Sequence, residues 1–321
     1  MSTQRSFFFS LATALFLVSA GVAKAELNVV VTSKPIHALV SAVMAGIGTP
    51  KILVDGPASP HSYAMKPSDA QAVNQADVFF RVSEEFEPFT AKLVRSLPER
   101  VKVISLAEAP GVKLLPRREG ATFDRHSHDH GPDHRDTRHH RGKHDHRDAG
   151  GHDPHVWLDP ENAKAMVSHI ADVLASFSPD KASVIRQNAK AELDRISKLS
   201  GELSRELAPI AGKTFIVYHD AYQYFEKRFG LTAAGSITLN PDIPPSGKRL
   251  QEIRRKISSA NVQCVFADPN ISPRVTATIT EDTSARTVVL DPEGMTLEAG
   301  PDLYHRLMRQ LAGAMKSCLA N

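Results

Sequence analysis

The amino-acid sequence predicts an α/β protein of two similar lobes, each with a central parallel sheet flanked by helices, joined by one long rigid helix. Short β-rich runs alternate with amphipathic helical segments, the alternation restarts after residue 212, and an uninterrupted helical pattern lies between the two halves. Alternation of this kind is typical of βα units on a parallel sheet. The 321 residues, of which 41% are hydrophobic, are enough to bury two cores of ordinary size.

The N-terminal lobe is predicted to span residues 26–178. Amphipathic segments separate its β-rich runs, so a helix can connect each strand to the next strand of the same parallel sheet. Its strands are expected in the runs LNVVVT from Leu27, KILVD from Lys51, DVFFRV from Asp77 and KVISL from Lys102. Glu84, Glu85 and Glu87, which follow the third run, are interpreted as charge at a helix N-terminus.

A linker helix is predicted for residues 179–209, followed by a C-terminal lobe at residues 210–321. The linker begins with Ser178 and Pro179, which are helix start signals, and has no Gly or Pro from residue 181 to residue 200. A rigid helix limits the swing of two lobes, so large clamshell closure is not expected. The strands of the second lobe are expected in the runs TFIVYHD from Thr214, LTAAGSI from Leu231, CVFADP from Cys264 and RTVVLD from Arg286.

Residues 1–25 predict a cleavable secretory signal. Arg5 is followed by an apolar run from Phe7 to Ala20 and by a small-x-small pattern that ends at Ala25. The alternative is an uncleaved membrane anchor, which is disfavoured because the apolar run is short for a bilayer span. No cysteine lies near the cleavage point, so no lipid anchor is expected and the mature protein should diffuse freely after export.

Charge and cysteine content narrow the classes of function further. The 39 basic and 36 acidic side chains give a net charge of +3, which provides no broad positive surface for nucleic acid. Because an exported chain meets an oxidising compartment, Cys264 and Cys318 are expected to form a disulfide between the last helix and a core strand. The alternative is a pair of unpaired buried thiols.

A histidine-rich insert at residues 117–151 interrupts the first lobe. It has almost no aliphatic residues and much charge, so it is predicted to be a disordered loop. Histidines interleaved with aspartates in no fixed geometry predict weak binding of several metal ions and an accessory capture role; the alternative is a solubilising linker. The accessory histidines are His126, His128, His130, His134, His139, His140, His144, His146 and His152.

Polar residues just past predicted strands are the candidate ligands of a tighter site, because open parallel sheets bind ligands at the carboxyl ends of their strands. These residues are His61, His155, His219 and Asp291, two from each lobe. Taken alone, each histidine is more often a hydrogen-bonded loop residue, but the common position favours a shared site. Three imidazoles with at most one carboxylate suit zinc, whereas manganese and magnesium prefer mostly oxygen, so the set predicts a Zn²⁺ site.

Several segments resemble one known family, namely HSYAMKPSDAQAVNQADVFF, DPHVWLDPENA, FIVYHDAYQYFEKRFGL and LDPEG. They are similar to the metal-binding solute-receptor family of bacterial ABC importers, and the histidine-rich insert with the cysteine pair resembles its zinc-specific periplasmic branch. The resemblance extends from about residue 27 to the C-terminus. It implies ligands at His61, His155 and His219, with Asp291 or water in the fourth position, since Pro60 stands where some relatives carry a glutamate.

The resemblance implies a monomeric periplasmic receptor that captures Zn²⁺ and delivers it to the permease of a zinc ABC transporter, without enzymatic activity. His219 favours zinc because manganese-selective relatives place a carboxylate there. Two alternatives are a metal-binding adhesin or extracellular interaction protein, and a zinc hydrolase, although no His-Glu-x-x-His helix occurs. A site made of histidines also predicts an affinity that falls as the pH drops through roughly 6.5.

Overall fold

The computed structural model describes residues 27–118, 120, 123, 151–239, 241 and 243–320. The predicted signal at residues 1–25 lies outside the described residues, and so do the insert histidines from His126 to His146. Among the residues that are described, no helix is long and apolar enough to cross a membrane.

The described residues of the N-terminal lobe form a four-stranded parallel sheet in the order β2-β1-β3-β4. The strands are β1 (Val29–Val31), β2 (Lys51–Ile52), β3 (Val78–Arg81) and β4 (Lys102–Ser105). The helices of this lobe are α1 (Lys34–Val43), α2 (Pro67–Gln75), α3 (Thr90–Val94) and α4 (Pro160–Phe177). The central strands β1 and β3 are almost wholly buried, as expected for a parallel sheet that is covered on both faces.

One long helix, α5 (Ala182–Leu207), joins the two lobes, as the sequence predicts. Short 3-10 turns at Pro179–Lys181 and Ala208–Ile210 flank it. Apolar residues at spacings of three or four positions face the core, so packing holds the helix along its whole length. These buried residues are Ile185, Ala189, Ile196, Leu199, Leu203 and Leu207.

In the part of the C-terminal lobe that the structure describes, a second four-stranded parallel sheet has the order β6-β5-β7-β8. Its strands are β5 (Thr214–His219), β6 (Thr232–Thr238), β7 (Cys264–Ala267) and β8 (Arg286–Val289). The helices are α6 (Gln223–Phe229), α7 (Gly247–Ser259), α8 (Pro273–Thr280) and α9 (Leu303–Leu319). Each strand of both sheets overlaps one of the β-rich runs of the sequence, so the predicted fold of two α/β lobes is confirmed.

The order of the strands creates a crevice in each lobe at the same place. The first strand of each lobe, β1 or β5, has a neighbour on either side, so the strand order reverses there. In open α/β sheets, ligands bind beyond the carboxyl ends of the strands at such a reversal. His219 ends β5, and the segments that follow β2 and β8 carry His61 and Asp291.

The two lobes share one apolar core. A continuous cluster of buried side chains includes Val31 and Phe80 of the first sheet and Phe215 and Phe266 of the second. The last helix, α9, packs against α5 and α1 as well as against β8. Wide opening of the lobes would expose this surface to water, so the packing opposes it.

The predicted disulfide between Cys264 and Cys318 is present, and both residues are buried. It joins β7 to α9, with 6.1 Å between the two Cα atoms. The bridge therefore ties the C-terminal helix, which packs across the lobe junction, to the central part of the second sheet. In the unfolded chain it closes a loop over a sequence separation of 54 residues.

Candidate metal centre

Three histidines from separate segments meet at the junction of the lobes. His61 lies between β2 and α2, His155 directly precedes a short 3-10 turn at Val156–Leu158, and His219 is the last residue of β5. One ring nitrogen from each histidine lies within 4.8 Å of the other two. Among the described residues, this is the one group of three or more His, Cys, Asp or Glu side chains with metal-ligand spacing. The structure thus brings together the three histidines that the sequence singles out.

The spacing of the ring nitrogens fits a tetrahedral metal ion. The Nε2 atoms of His61 and His155 are 3.4 Å apart. Zinc bonds to imidazole nitrogens are about 2.0 Å long, so two nitrogens on one tetrahedral zinc stand about 3.3 Å apart. The distance between His61 and His155 therefore needs almost no adjustment for a shared ion.

Two buried carboxylates hold the opposite nitrogens of two of these rings. Asp153 Oδ1 lies 2.8 Å from His155 Nδ1, and Asp268 Oδ2 lies 2.5 Å from His219 Nδ1. A carboxylate only accepts hydrogen bonds, so it places the ring proton on Nδ1 and leaves the Nε2 lone pair available. His219 Nε2 is buried and has no hydrogen-bond partner in the described part of the chain, so this nitrogen is available to bind a metal ion.

The environment separates the proton affinities of the three rings. Burial, followed by the positive charges of neighbouring basic side chains, lowers the pKa of His61 and of His155 well below its usual value. Burial also acts to lower the pKa of His219, but the Asp268 carboxylate outweighs it and the pKa is raised. At neutral pH the first two rings are therefore uncharged, which is the form that binds a metal ion.

Aromatic side chains fix the orientation of the rings. The Phe86 ring centroid lies 4.9 Å from that of His61, 5.7 Å from that of His155 and 4.7 Å from that of Trp157. Trp157 Nε1 donates a hydrogen bond of 2.9 Å to the carbonyl oxygen of Pro292 in the other lobe. Since Phe86 and Trp157 are fully buried, the histidines stand on a packed wall that spans the lobe junction.

Asp291 is the predicted ligand that the structure leaves out of the group. Its Oδ1 accepts a hydrogen bond from the backbone N–H of Glu293 (3.2 Å), and its Oδ2 accepts from the N–H and the hydroxyl of Thr296 (3.1 Å each). The carboxylate thus stabilises the turn after β8. Another carboxylate of this turn approaches the histidines, because Glu293 Oε1 lies 4.0 Å from His61 Nε2.

The base of the histidine-rich insert lies next to this group. Pro116 pairs with His152 in an antiparallel bridge, and the N–H of Arg117 donates to the carbonyl of Gly151 at 3.0 Å. Tyr224 of the other lobe donates its hydroxyl proton to the carbonyl of Asp153 (2.9 Å). His152, the one accessory histidine that is described, is exposed and outside the group of three. His152, at the base of the insert, therefore stands three residues before the buried His155 in the sequence.

A cavity of ≈ 150 Å³ opens onto the three histidines. Charged side chains line it beside the rings, among them Glu85, Arg117 and Asp220. The volume is well below the roughly 300 Å³ or more that is typical of sites for organic ligands. A hydrated metal ion fits such a space, whereas a drug-sized molecule does not.

The residues that support the ligands are not among those that the sequence singles out. Asp153 contacts the ring of His155, which is two positions later in the sequence, and Asp268 contacts the ring of His219 on a different strand. Glu293 approaches His61 from the other lobe. A signal was present for Asp268, because it directly follows the β-rich run CVFA, as the candidate ligands follow theirs. Glu293 has no such signal of its own, but it lies two residues after Asp291, which is one of the candidate ligands.

Comparison with known proteins places the chain in a family. The family model described as ZnuA, zinc-uptake complex component A, periplasmic, matches residues 29–318. The high-affinity zinc uptake system protein ZnuA of Brucella suis is 42% identical over 306 residues, which cover 91% of this chain and 92% of the relative. The corresponding protein of Paracoccus denitrificans is 36% identical and covers 92% of this chain and 93% of the relative. The chain belongs to the ZnuA family.

A solved structure agrees with this assignment at the level of the fold. A crystal structure of ZnuA superposes with a TM-score of 0.71 at 22% identity, covering 90% of this chain and 99% of that chain. At that level of identity the likeness shows the shared two-lobed architecture. The family assignment itself rests on the sequence matches.

Proposed function

We propose that this protein is a periplasmic receptor that captures Zn²⁺ with His61, His155 and His219 and delivers it to the permease of an ABC importer. The observation that carries the proposal is the convergence of three ring nitrogens within 4.8 Å of one another at the junction of the lobes, with His155 and His219 buried. The relatives named as zinc uptake proteins support the identity of the cargo. Zn²⁺ is the transported ligand in this account.

Zinc is favoured over other divalent ions by the donor set. Three imidazole nitrogens suit zinc in tetrahedral geometry, while magnesium and manganese prefer carboxylate, carbonyl and water oxygens. Asp153 and Asp268 strengthen the preference, since a carboxylate behind a ligand imidazole raises its basicity and fixes its orientation.

A chelator competition titration of the metal-stripped protein tests the proposal. The wild-type protein is expected to hold one Zn²⁺ per chain tightly and Mn²⁺ far more weakly, and His219→Ala is expected to lose at least 100-fold in zinc affinity because one of three ligands is gone. His169→Ala, a half-exposed histidine on α4 outside the group, serves as the matched control. Equal zinc affinity of His219→Ala and the wild-type protein would refute the proposed site.

The protein performs no bond chemistry in this proposal. Its family is one of solute-binding transport components, and the cavity at the histidines leaves little room for a substrate beside the ion. The zinc hydrolase is therefore set aside. The adhesin alternative gains no specific support: a laminin-binding protein of Streptococcus agalactiae, described as having adhesin and metal-transporting activity, shares the fold with a TM-score of 0.72 at 24% identity.

The remaining features of the proposed receptor concern its export and its partner. The signal at residues 1–25 is removed on secretion, the mature chain carries no lipid anchor, and it acts as a monomer in the periplasm. Its partner is the zinc permease in the inner membrane, and it has no nucleic-acid partner. Intact-mass measurement of the secreted protein tests the cleavage after Ala25, and light scattering tests the monomer.

A further inference from the structure

His61 is the ligand whose orientation depends most on packing. Buried carboxylates hold the outer nitrogens of the other two ligands, His155 and His219. Within the described part of the chain, no carboxylate lies against Nδ1 of His61 in this way. The ring of His61 instead meets Phe86 edge to face, with 4.9 Å between the ring centroids and 83° between the planes. The packing of Phe86 therefore sets the orientation of this ligand.

Phe86 belongs to a short turn that a buried carboxylate holds closed. The turn follows β3, and Glu87 at its end is wholly buried, as is Phe86 itself. The Glu87 carboxylate accepts hydrogen bonds from the backbone N–H groups of Val82 (3.1 Å) and Ser83 (3.0 Å). The backbone N–H groups of Phe86 and Glu87 donate in turn to the hydroxyl and the carbonyl of Ser83. These bonds fix the backbone on both sides of Phe86.

The same carboxylate joins two strands at the crevice of the first sheet. The hydroxyl of Thr32, which directly follows β1, also donates to Glu87, so the carboxylate bridges the carboxyl ends of β1 and β3. A buried carboxylate needs hydrogen bonds that compensate for its lost hydration, and donors from both strands supply them here. The position of Glu87 is therefore defined by the sheet. The turn that carries Phe86 is thereby anchored to a rigid element.

We infer that Glu87 is a positioning residue of the zinc site, which acts through Phe86 to hold His61 in the orientation that binds the ion. Phe86 also contacts His155, with 5.7 Å between the ring centroids, so a displaced Phe86 would disturb two of the three ligands. Glu87 itself is neither in the ligand group nor among the residues that line the cavity. The inference rests on the proposed zinc site, because without that site Phe86 has no ligand to orient.

The test is a double-mutant cycle in zinc affinity, measured by chelator competition at pH 8. Burial raises the pKa of Glu87 to about 7, so the carboxyl is ionised at this pH. Glutamine keeps the size of the side chain but sets an amide, which donates, against backbone N–H groups that also donate. The control is Glu84→Gln, which removes an exposed carboxylate of the same turn.

Glu87→Gln and Phe86→Leu are each expected to weaken zinc binding about tenfold. The double variant is expected to lose about tenfold as well, because both changes remove the same support of His61. A purely structural role of Glu87 would lower stability without this coupling in zinc affinity. Glu84→Gln stays within twofold of the wild-type protein, and circular dichroism checks that every variant folds.

Each other result overturns the inference. Zinc affinity of Glu87→Gln within twofold of wild type would show that the carboxylate does not support the site. A double variant that is clearly weaker than either single variant, by up to a hundredfold, would show that Glu87 does not act through Phe86.

A second variant, Thr32→Val, decides if Glu87→Gln does not fold. It keeps the shape of the side chain and removes one donor to Glu87. Its loss of zinc affinity is expected in the wild-type background and not in Phe86→Leu, and no loss, or the same loss in both backgrounds, would overturn the inference. The proposed function fails separately, through a wild-type protein without a tight site or an unaffected His219→Ala.

Discussion

Replacing Asp268 with asparagine is expected to weaken Zn²⁺ binding by about 10- to 100-fold. Asp268 Oδ2 lies 2.5 Å from His219 Nδ1, and both side chains are buried. The carboxylate can only accept, so it keeps the ring proton on Nδ1. An asparagine amide can instead donate to Nδ1, which moves the proton to Nε2, the atom that must bind the metal. The variant therefore admits a tautomer that competes with zinc.

The expected magnitude corresponds to about 1.4 to 2.7 kcal/mol of binding free energy. Loss of the negative charge adds to the loss of tautomer control, because the carboxylate makes the imidazole of His219 a stronger donor to a cation. Burial prevents water from replacing the carboxylate, since His219 and Asp268 are only 3% and 4% exposed. Both effects act in the same direction, so no compensation is expected.

The assay is a chelator competition titration of Asp268→Asn, with Asp194→Asn as control. Asp194 is an exposed carboxylate on α5 that pairs with Lys190 at the surface, so its replacement changes the same chemistry without touching the site. The control is expected to bind zinc as the wild-type protein does. Zinc affinity of Asp268→Asn within twofold of the wild-type value would refute the argument from the buried hydrogen bond.

Three further predictions follow from the disulfide and from the buried titrating groups. Replacing Cys264 and Cys318 together by serine should lower the free energy of unfolding by about 4 kcal/mol in urea titrations, because the unfolded chain loses a closed loop, while zinc affinity stays unchanged. Zinc affinity should fall as the pH is lowered from 7 to 5.5, by no more than about tenfold per pH unit, since the raised pKa of His219 makes one proton compete and the lowered pKa values of the other two rings keep them neutral. Burial raises the pKa of Glu87 to about 7, so the folded protein binds a proton that the unfolded chain releases above its ordinary value of about 4.5. Stability is therefore lost as the pH rises from 4.5 to 7, and Glu87→Gln should reduce that loss by about 3 kcal/mol.

Each of these predictions has a result that contradicts it. For the disulfide, a double serine variant that unfolds at the urea concentration of the wild-type protein would show that the cross-link contributes nothing. For the pH dependence of binding, a decline approaching a thousandfold per pH unit would mean that three rings take up protons together. For Glu87, identical pH dependence of stability in the variant and the wild-type protein would show that this carboxyl does not titrate in the window between 4.5 and 7.

The strands and the ligand histidines could be predicted because their signals are local. Each β-rich run specifies its own strand, and a residue that ends such a run lies at the ligand-binding edge of a parallel sheet whatever its neighbours are. His219 at the end of FIVYH illustrates this, since the sequence alone placed it at the carboxyl end of β5. The expected fall of affinity near pH 6.5 used unperturbed histidines, and burial now separates the three pKa values.

The supporting groups depend on tertiary contacts, which the local pattern does not contain. Glu87 was interpreted as charge at a helix N-terminus, but the structure buries it against β1 and β3. Its carboxylate accepts hydrogen bonds from the hydroxyl of Thr32 and from the N–H groups of Val82 and Ser83. Glu293 is similar, because its approach to His61 follows from how two lobes meet. Pairings of this kind join segments that are distant in sequence, so composition and spacing do not reveal them.

The histidine-rich insert stays a prediction, since residues 124–150 lie outside the described part of the chain. The group of three histidines does not include it, and His61, His155 and His219 are supported by contacts within the two lobes. When a metal ion binds to an insert without fixed geometry, each residue that becomes ordered loses conformational entropy, which costs about 1 kcal/mol or more per residue. Its binding is therefore expected to be much weaker than that of the three histidines.

A zinc titration of the chain that lacks residues 125–150 tests the central claim most directly. The deletion retains Gly151, whose carbonyl accepts the N–H of Arg117 at the base of the insert. The account predicts one tight Zn²⁺ site with unchanged affinity, which disappears when His219→Ala is added, together with the loss of weaker sites. Disappearance of tight binding from the shortened chain itself would contradict the account, because the insert and not His61, His155 and His219 would then hold the zinc.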